Sequence, residues 1–196
     1  NVGLFGVLDG AVVKKLAIED ARVYGYNHVG ILAGQIKGES VITDVTVEGT
    51  AAANTSSGGY ASDAAVGGLA GKISGSNSGS RTTIENVTAT VNTVNLGATS
   101  KTGGIAGEVS NAYIVDTSVS ATGNNILGRY YVGGIVGAMS SGTSIYNVSV
   151  DGTIGGNGAY TVGGITGYYE GGEIVVARMF GEIGKTNAGT AREGIF

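Results

Sequence analysis

Val132-Gly133-Gly134-Ile135-Val136-Gly137 decides the fold, because the chain keeps returning to this phrase. It comes back as VGGITG (Val162 to Gly167), TGGIAG (Thr102 to Gly107), VGGLAG (Val66 to Gly71) and VGILAG (Val29 to Gly34). A shortened copy, VGLFG, occupies Val2 to Gly6, and GIF at Gly194 to Phe196 reads as a seventh copy cut short. The closing glycines are Gly6, Gly34, Gly71, Gly107, Gly137 and Gly167, so the steps are 28, 37, 36, 30 and 30 residues. A period of about 30 residues marks a repeat architecture, in which each unit buries its apolar face only by stacking on the next.

Around each copy the side chains alternate as a strand requires. Two residues before the closing glycine stand Leu4, Leu32, Leu69, Ile105, Ile135 and Ile165; two residues after it stand Leu8, Ile36, Ile73, Val109, Met139 and Tyr169. Both columns are apolar and share one face, which is expected to be the core. The residue directly after the glycine (Val7, Gln35, Lys72, Glu108, Ala138, Tyr168) is mixed, as solvent tolerates. The six glycines are expected to serve close packing or sharp turning, since a missing Cβ allows either.

A second strand follows, reading ITDVTVEG from Ile42, IENVTATV from Ile84, IVDTSVSA from Ile114 and IYNVSVDG from Ile145. VKKLAIED from Val13 and IVVARMFG from Ile174 are looser versions. Apolar residues fall first, fourth and sixth, so the two-residue period breaks once. The third position is Asp44, Asn86, Asp116 and Asn147, residue types that tolerate left-handed backbone. A corner there restores the parity and stacks these side chains into a ladder. A short third strand is expected at Gly152–Ile154 and Gly181–Ile183. Two longer stretches, Ser74 to Thr82 and Gly49 to Ala65, are rich in Gly, Ser and Ala and are expected to protrude as flexible loops.

These patterns define an all-β, right-handed parallel β-solenoid of about six coils, with two or three strands per coil. Handedness follows the general bias of parallel crossovers. Residues 1–196 read as one repeat domain. Coils about 4.8 Å apart would give a body about 29 Å long. Open edges at both ends, with a repeat that starts and stops mid-unit, lead to the expectation of a piece of something longer.

Composition agrees. The 196 residues include 38 glycines and no proline, tryptophan or cysteine, with a formal charge of -4. Glycine without proline excludes collagen, and 42% hydrophobic residues against 13% charged argue against disorder. Mild acidity argues against nucleic acid, which needs clustered Lys and Arg, and gives no reason to expect binding to an anionic membrane surface. No apolar run reaches the roughly 20 residues of a membrane-spanning helix.

Reaction chemistry is hard to find in the sequence. Neither the dinucleotide G-x-G-x-x-G between strand and helix nor the Walker A loop occurs. His28 is the only histidine, without H-E-x-x-H or a cysteine set to hold zinc, and reads as a surface or corner residue. No serine sits in G-x-S-x-G. A glycosidase or lyase needs clustered carboxylates, whereas Asp44 and Asp116 are separated in the stack by Asn86. Catalytic, cofactor-binding and metal-ligating residues are therefore assigned to none. Asn54, Asn86 and Asn147 begin N-x-[ST] sequons, two of them at the corner. Tyr130, Tyr131, Tyr168 and Tyr169 recur near the phrase in successive coils and are the candidate partner contacts, with core packing as the alternative.

The copies VGGLAG, VGGIVG and VGGITG, each followed by an I-x-N-V-x-V-like strand, resemble the bacterial GLUG repeat. NVGLFGVLDGAVVKKLAIEDARV, from Asn1 to Val23, is similar to the N-terminal region of Gram-positive IgA1-specific zinc metallopeptidases of the M26 class and pneumococcal-type relatives. The resemblance implies a secreted or wall-attached parent acting on host glycoproteins such as IgA1. Its zinc would lie in a separate catalytic domain, so no cofactor is expected in this chain. It implies a non-catalytic scaffold or substrate-engaging module. An adhesin-type module binding a host protein or glycan is the second reading, and a polysaccharide-degrading β-helix enzyme the third.

Overall fold

The computed structural model describes residues 1–53, 63–77, 79–156 and 158–184. Numbered along the chain, the strands fall into three sheets. The first holds β1 (Phe5–Asp9), β4 (Ala33–Lys37), β7 (Ala70–Ser74), β10 (Ala106–Ser110), β13 (Val136–Met139) and β16 (Thr166–Tyr169). The second holds β2 (Val12–Gly25), β5 (Val41–Ala53), β8 (Thr82–Asn95), β11 (Ala112–Gly128), β14 (Ser144–Gly155) and β17 (Glu173–Ile183). The third holds β3 (His28–Val29), β6 (Ala65–Gly67), β9 (Lys101–Gly103), β12 (Tyr131–Gly133) and β15 (Thr161–Gly163).

Within each sheet every strand pairs in parallel with its counterpart one coil away. The result is an all-β parallel solenoid of about six turns with a period of about 30 residues. One turn runs from a short third-sheet strand through a first-sheet strand to a long second-sheet strand, as in β12, β13 and β14.

The repeated phrase is two strands rather than one. Val132-Gly133 closes β12, Gly134-Ile135 bends, and Val136-Gly137 opens β13. The bend keeps its backbone paired to the neighbouring turns: Ile135 N donates to Ile165 O at 2.9 Å, and Ile105 N to Ile135 O at 2.9 Å. No buried peptide group is left unpaired there, which is what makes a bend inside the core tolerable.

Glycine explains how the two strands meet. A Cβ built on the closing glycine would lie 2.4–2.5 Å from a backbone nitrogen of the preceding turn's third-sheet segment. The pairs are Gly34 with Val2, Gly71 with Val29, Gly107 with Val66, Gly137 with Thr102 and Gly167 with Val132. Real Cβ atoms do not approach so closely, so the first and third sheets touch backbone to backbone. Gly6 has no turn before it in this chain, and its Cβ would meet nothing within 4 Å. None of the six glycines has a positive φ, so their role is close packing and not turning.

The second glycine of the pair answers to the opposite wall. A Cβ on Gly104 would sit 2.5 Å from Val119 Cγ1, and one on Gly134 2.9 Å from Val150 Cγ1. Apolar side chains of the long sheet fill the space that these glycines leave.

Both apolar columns run through the core. Leu32, Leu69, Ile105 and Ile135 are fully buried, as are Ile36, Ile73, Val109 and Met139. Each such side chain contributes about 1.5–3 kcal/mol by leaving water. The columns fail only at the ends, where Leu4 is 57% exposed and Tyr169 51%. Each has a neighbouring turn on one side only within the described residues.

Two expectations need correction. The third short strands at Gly152–Ile154 and Gly181–Ile183 are not separate; they continue β14 and β17 beyond bends at Gly152 (φ 135°) and Gly181 (φ 110°). Nor is Gly49 to Ala65 a loop throughout. Gly49 to Ala53 extend β5, with Ala51 and Ala53 buried, and Ala65 begins β6. Residues 54–62, with the Asn54 sequon, lie outside the described residues, as does the copy at Gly194 to Phe196. In the shorter insertion Ser74 ends β7 and Thr82 begins β8, fully buried, while Ser76 N donates to Ser80 O at 2.9 Å across a tight turn.

Candidate functional site

The corner ladder lies where the parity of the long strands breaks. Asp44, Asn86, Asp116 and Asn147 have φ of 56°, 51°, 49° and 51°. Each left-handed residue turns the chain so that Ile42, Val45 and Val47, or Ile145, Val148 and Val150, all face the core. Asn86 Nδ2 donates to Asp44 Oδ1 at 2.6 Å, and Asn147 Nδ2 to Asp116 Oδ1 at 2.6 Å. Carboxylate and carboxamide thus alternate in pairs, each Asp accepting from the Asn of the following turn. Lys15 and Val176 hold the same left-handed position in the outer turns, with φ of 53° each. This is structural chemistry. A shallow groove of about 200 Å³ beside it is lined by Asp116, Ser118, Asn147, Ser149 and Arg178.

A charged cluster bridges the third and first sheets. Lys101 Nζ on β9 donates to Glu108 Oε2 at 2.6 Å, and Lys72 Nζ on β7 to Glu108 Oε1 at 2.8 Å. All three side chains are only 25–31% exposed. Burial pushes the Glu108 carboxyl upward, but the two ammonium hydrogen bonds outweigh it and hold the group below its ordinary value. His28 on β3 is half-buried, its Nδ1 2.8 Å from Asn1 Oδ1. Burial first, then the Lys72 charge, lowers its pKa, so the ring is neutral at pH 7. Sequence reading put His28 at a surface or corner; the structure seats it beside this cluster.

Next along the same seam stands a run of four tyrosines. Tyr131 stacks on Tyr168 of the following turn, with centroids 4.6 Å apart and planes 14° from parallel. Tyr130 lies 4.4 Å from Tyr131 at 52°, and stacks on Tyr160 at 5.0 Å and 11°. Tyr160 is 70% exposed and Tyr168 39%, whereas Tyr130 and Tyr131 are half-buried between them. Desolvation, then a hydrogen bond with Tyr130, raises the Tyr131 phenol above its ordinary pKa. Tyr131 also stands in register with Lys101, which joins the aromatic run to the charged cluster.

The sequence placed Tyr130, Tyr131 and Tyr168 in this group, and the structure brings those three together. Tyr169 is not a member, since the strand turns its ring the other way and its hydroxyl donates to Gly172 O at 2.7 Å. Tyr160 was missed. Its signal was its step of 30 residues from Tyr130, the repeat period itself.

Among the described residues no group of three or more His, Cys, Asp or Glu side chains is placed to hold a metal ion. Fold and surface define a parallel β-solenoid that carries, among the described residues, an aromatic run with exposed outer rings. No family model, no curated protein and no solved structure matches the chain.

Proposed function

We propose that this chain is a non-catalytic scaffold and substrate-engaging module of a larger secreted or wall-attached zinc metallo-endopeptidase acting on host glycoproteins such as IgA1. The observation that carries the engaging role is the tyrosine run from Tyr160 to Tyr168, aromatic rings left in solvent on a rigid parallel scaffold. Exposed tyrosines clustered on one face are enriched at recognition surfaces, where each ring offers contact area at small entropic cost. The metallopeptidase assignment rests on the resemblance of Asn1 to Val23 and the glycine phrases. Incubating the purified chain with IgA1 tests the reading: capture without cleavage is the expected result, and robust zinc-dependent proteolysis by this chain alone overturns it.

The same patch favours a second reading, an adhesin-type module whose host ligand is unrelated to proteolysis. Capture of other host surface proteins, with IgA1 left unbound, would select it.

A further inference from the structure

We infer that the tyrosine run and the basic residues beside it form a binding site for an acidic sugar, one carrying a carboxylate or sulfate on a pyranose ring. The inference rests on the engaging role proposed above and names the chemistry of the ligand. Three observations carry it.

The first is which ring faces are free. Tyr130 and Tyr131 spend their faces on Tyr160 and Tyr168, so the outer rings, Tyr160 at 70% exposure and Tyr168 at 39%, are those left to stack on a ligand. A phenol ring offers a flat negative face to the polarised C–H groups of a sugar ring and a hydroxyl edge to its oxygens. An aliphatic ligand would call for exposed Leu, Ile or Met around the rings. The floor beside them is instead Ala138, 8% exposed.

The second is local charge. The chain is acidic, at -4, yet Lys101 stands in register with Tyr131, Lys72 joins it through Glu108, and Arg129 directly precedes Tyr130, against the acidic Glu108 and Glu170. Glu108 engages both lysines, and its single charge neutralises only one of them. Arg129 is exposed and directly precedes Tyr130, and its carbonyl accepts from Tyr160 N at 3.0 Å, which holds its backbone beside that of the most exposed ring. A guanidinium presents its donors in a fork that suits carboxylate and sulfate oxygens.

The third is rigidity. The rings sit on or beside β12, β15 and β16, whose backbones are held in register on the glycine seam, so ordering the site on binding costs little.

The test titrates the whole chain with 3′-sialyllactose, 3′-sulfolactose and lactose by calorimetry or saturation-transfer NMR. Tyr160→Ala and Arg129→Gln follow, with circular dichroism as the control on folding. Either acidic sugar should bind about tenfold more tightly than lactose, and Arg129→Gln should remove most of that difference. Tyr160→Ala should weaken all binding about tenfold. Equal affinity for lactose, or full binding by Tyr160→Ala, overturns the inference. So does failure of both acidic sugars to bind. Capture of IgA1 before and after sialidase and sulfatase treatment separates this from the parent reading. Unchanged capture discards the acidic sugar and leaves the module intact; loss of capture supports both.

Discussion

Thr102 and Val132 stand in register on adjacent strands of the third sheet, both fully buried, and only one of them has a side chain suited to the place. The column reads Val29, Val66, Thr102, Val132 and Val162, and Thr102 Oγ1 has no hydrogen-bond partner among the described residues. Thr102→Val keeps the shape and removes a stranded hydroxyl. The variant should be more stable by about 1–2 kcal/mol. Urea unfolding checks it, with a raised midpoint and an unchanged slope.

The glycine seam gives a graded pair. In Gly137→Ala the new methyl meets Thr102 N at 2.5 Å, backbone that has nowhere to go. Overpacking of this kind costs about 3 kcal/mol or more, since the sheets must part. Gly6→Ala meets nothing and should shift stability by less than about 0.5 kcal/mol. Equal effects in the two variants would contradict the seam.

At the corner, Val176 adopts φ 53° with a branched side chain 46% exposed, where inner turns carry Asp or Asn. Left-handed backbone costs such a residue about 1–2 kcal/mol. Val176→Asn should therefore stabilise the last turn by about 1 kcal/mol. The reverse change, Asn147→Val, should destabilise by more, because it adds strain and removes the hydrogen bond to Asp116. Hydrogen exchange of β14 and β17 amides would locate both effects.

Acid should act through Glu108. Its folded pKa lies below the ordinary 4.5, so the unfolded chain takes up the proton first as pH falls. The stability that Glu108 supplies is complete above pH 4.5 and is lost as pH drops through the folded value. Glu108→Gln should cost about 1–2 kcal/mol at pH 7. That gap should close as pH falls from above 4.5 through the lowered folded value. His28 adds a second window: its pKa is lowered from 6.5, so its contribution is present above 6.5 and fades below it.

The inner turns were readable because each column repeats one chemical choice. Ile105 and Ile135 announce a core face, and an Asn or Asp where alternation slips announces a left-handed corner. What alternation could not reveal was the bend inside Val132 to Gly137. Val132, Ile135 and Met139 are all apolar and buried with glycines between them, so the sequence carries no mark of the bend and two strands look like one. The closing glycines were ambiguous for a related reason, as a missing side chain reads alike whether it permits a turn or a contact; only φ and the 2.5 Å distance at Thr102 separate them. Tyr160 has no tyrosine beside it in sequence, and its partner Tyr130 stands one full turn away.

The closing glycine of each turn rests on the preceding turn, while the glycine that starts the same phrase rests partly on the turn after, as Gly133 does on Gly167. Contacts are staggered, like courses of brick whose joints never line up. Removing one turn strips packing from both neighbours as well as their ladder hydrogen bonds, so under tension the body should resist peeling singly and give way in blocks longer than its own repeat.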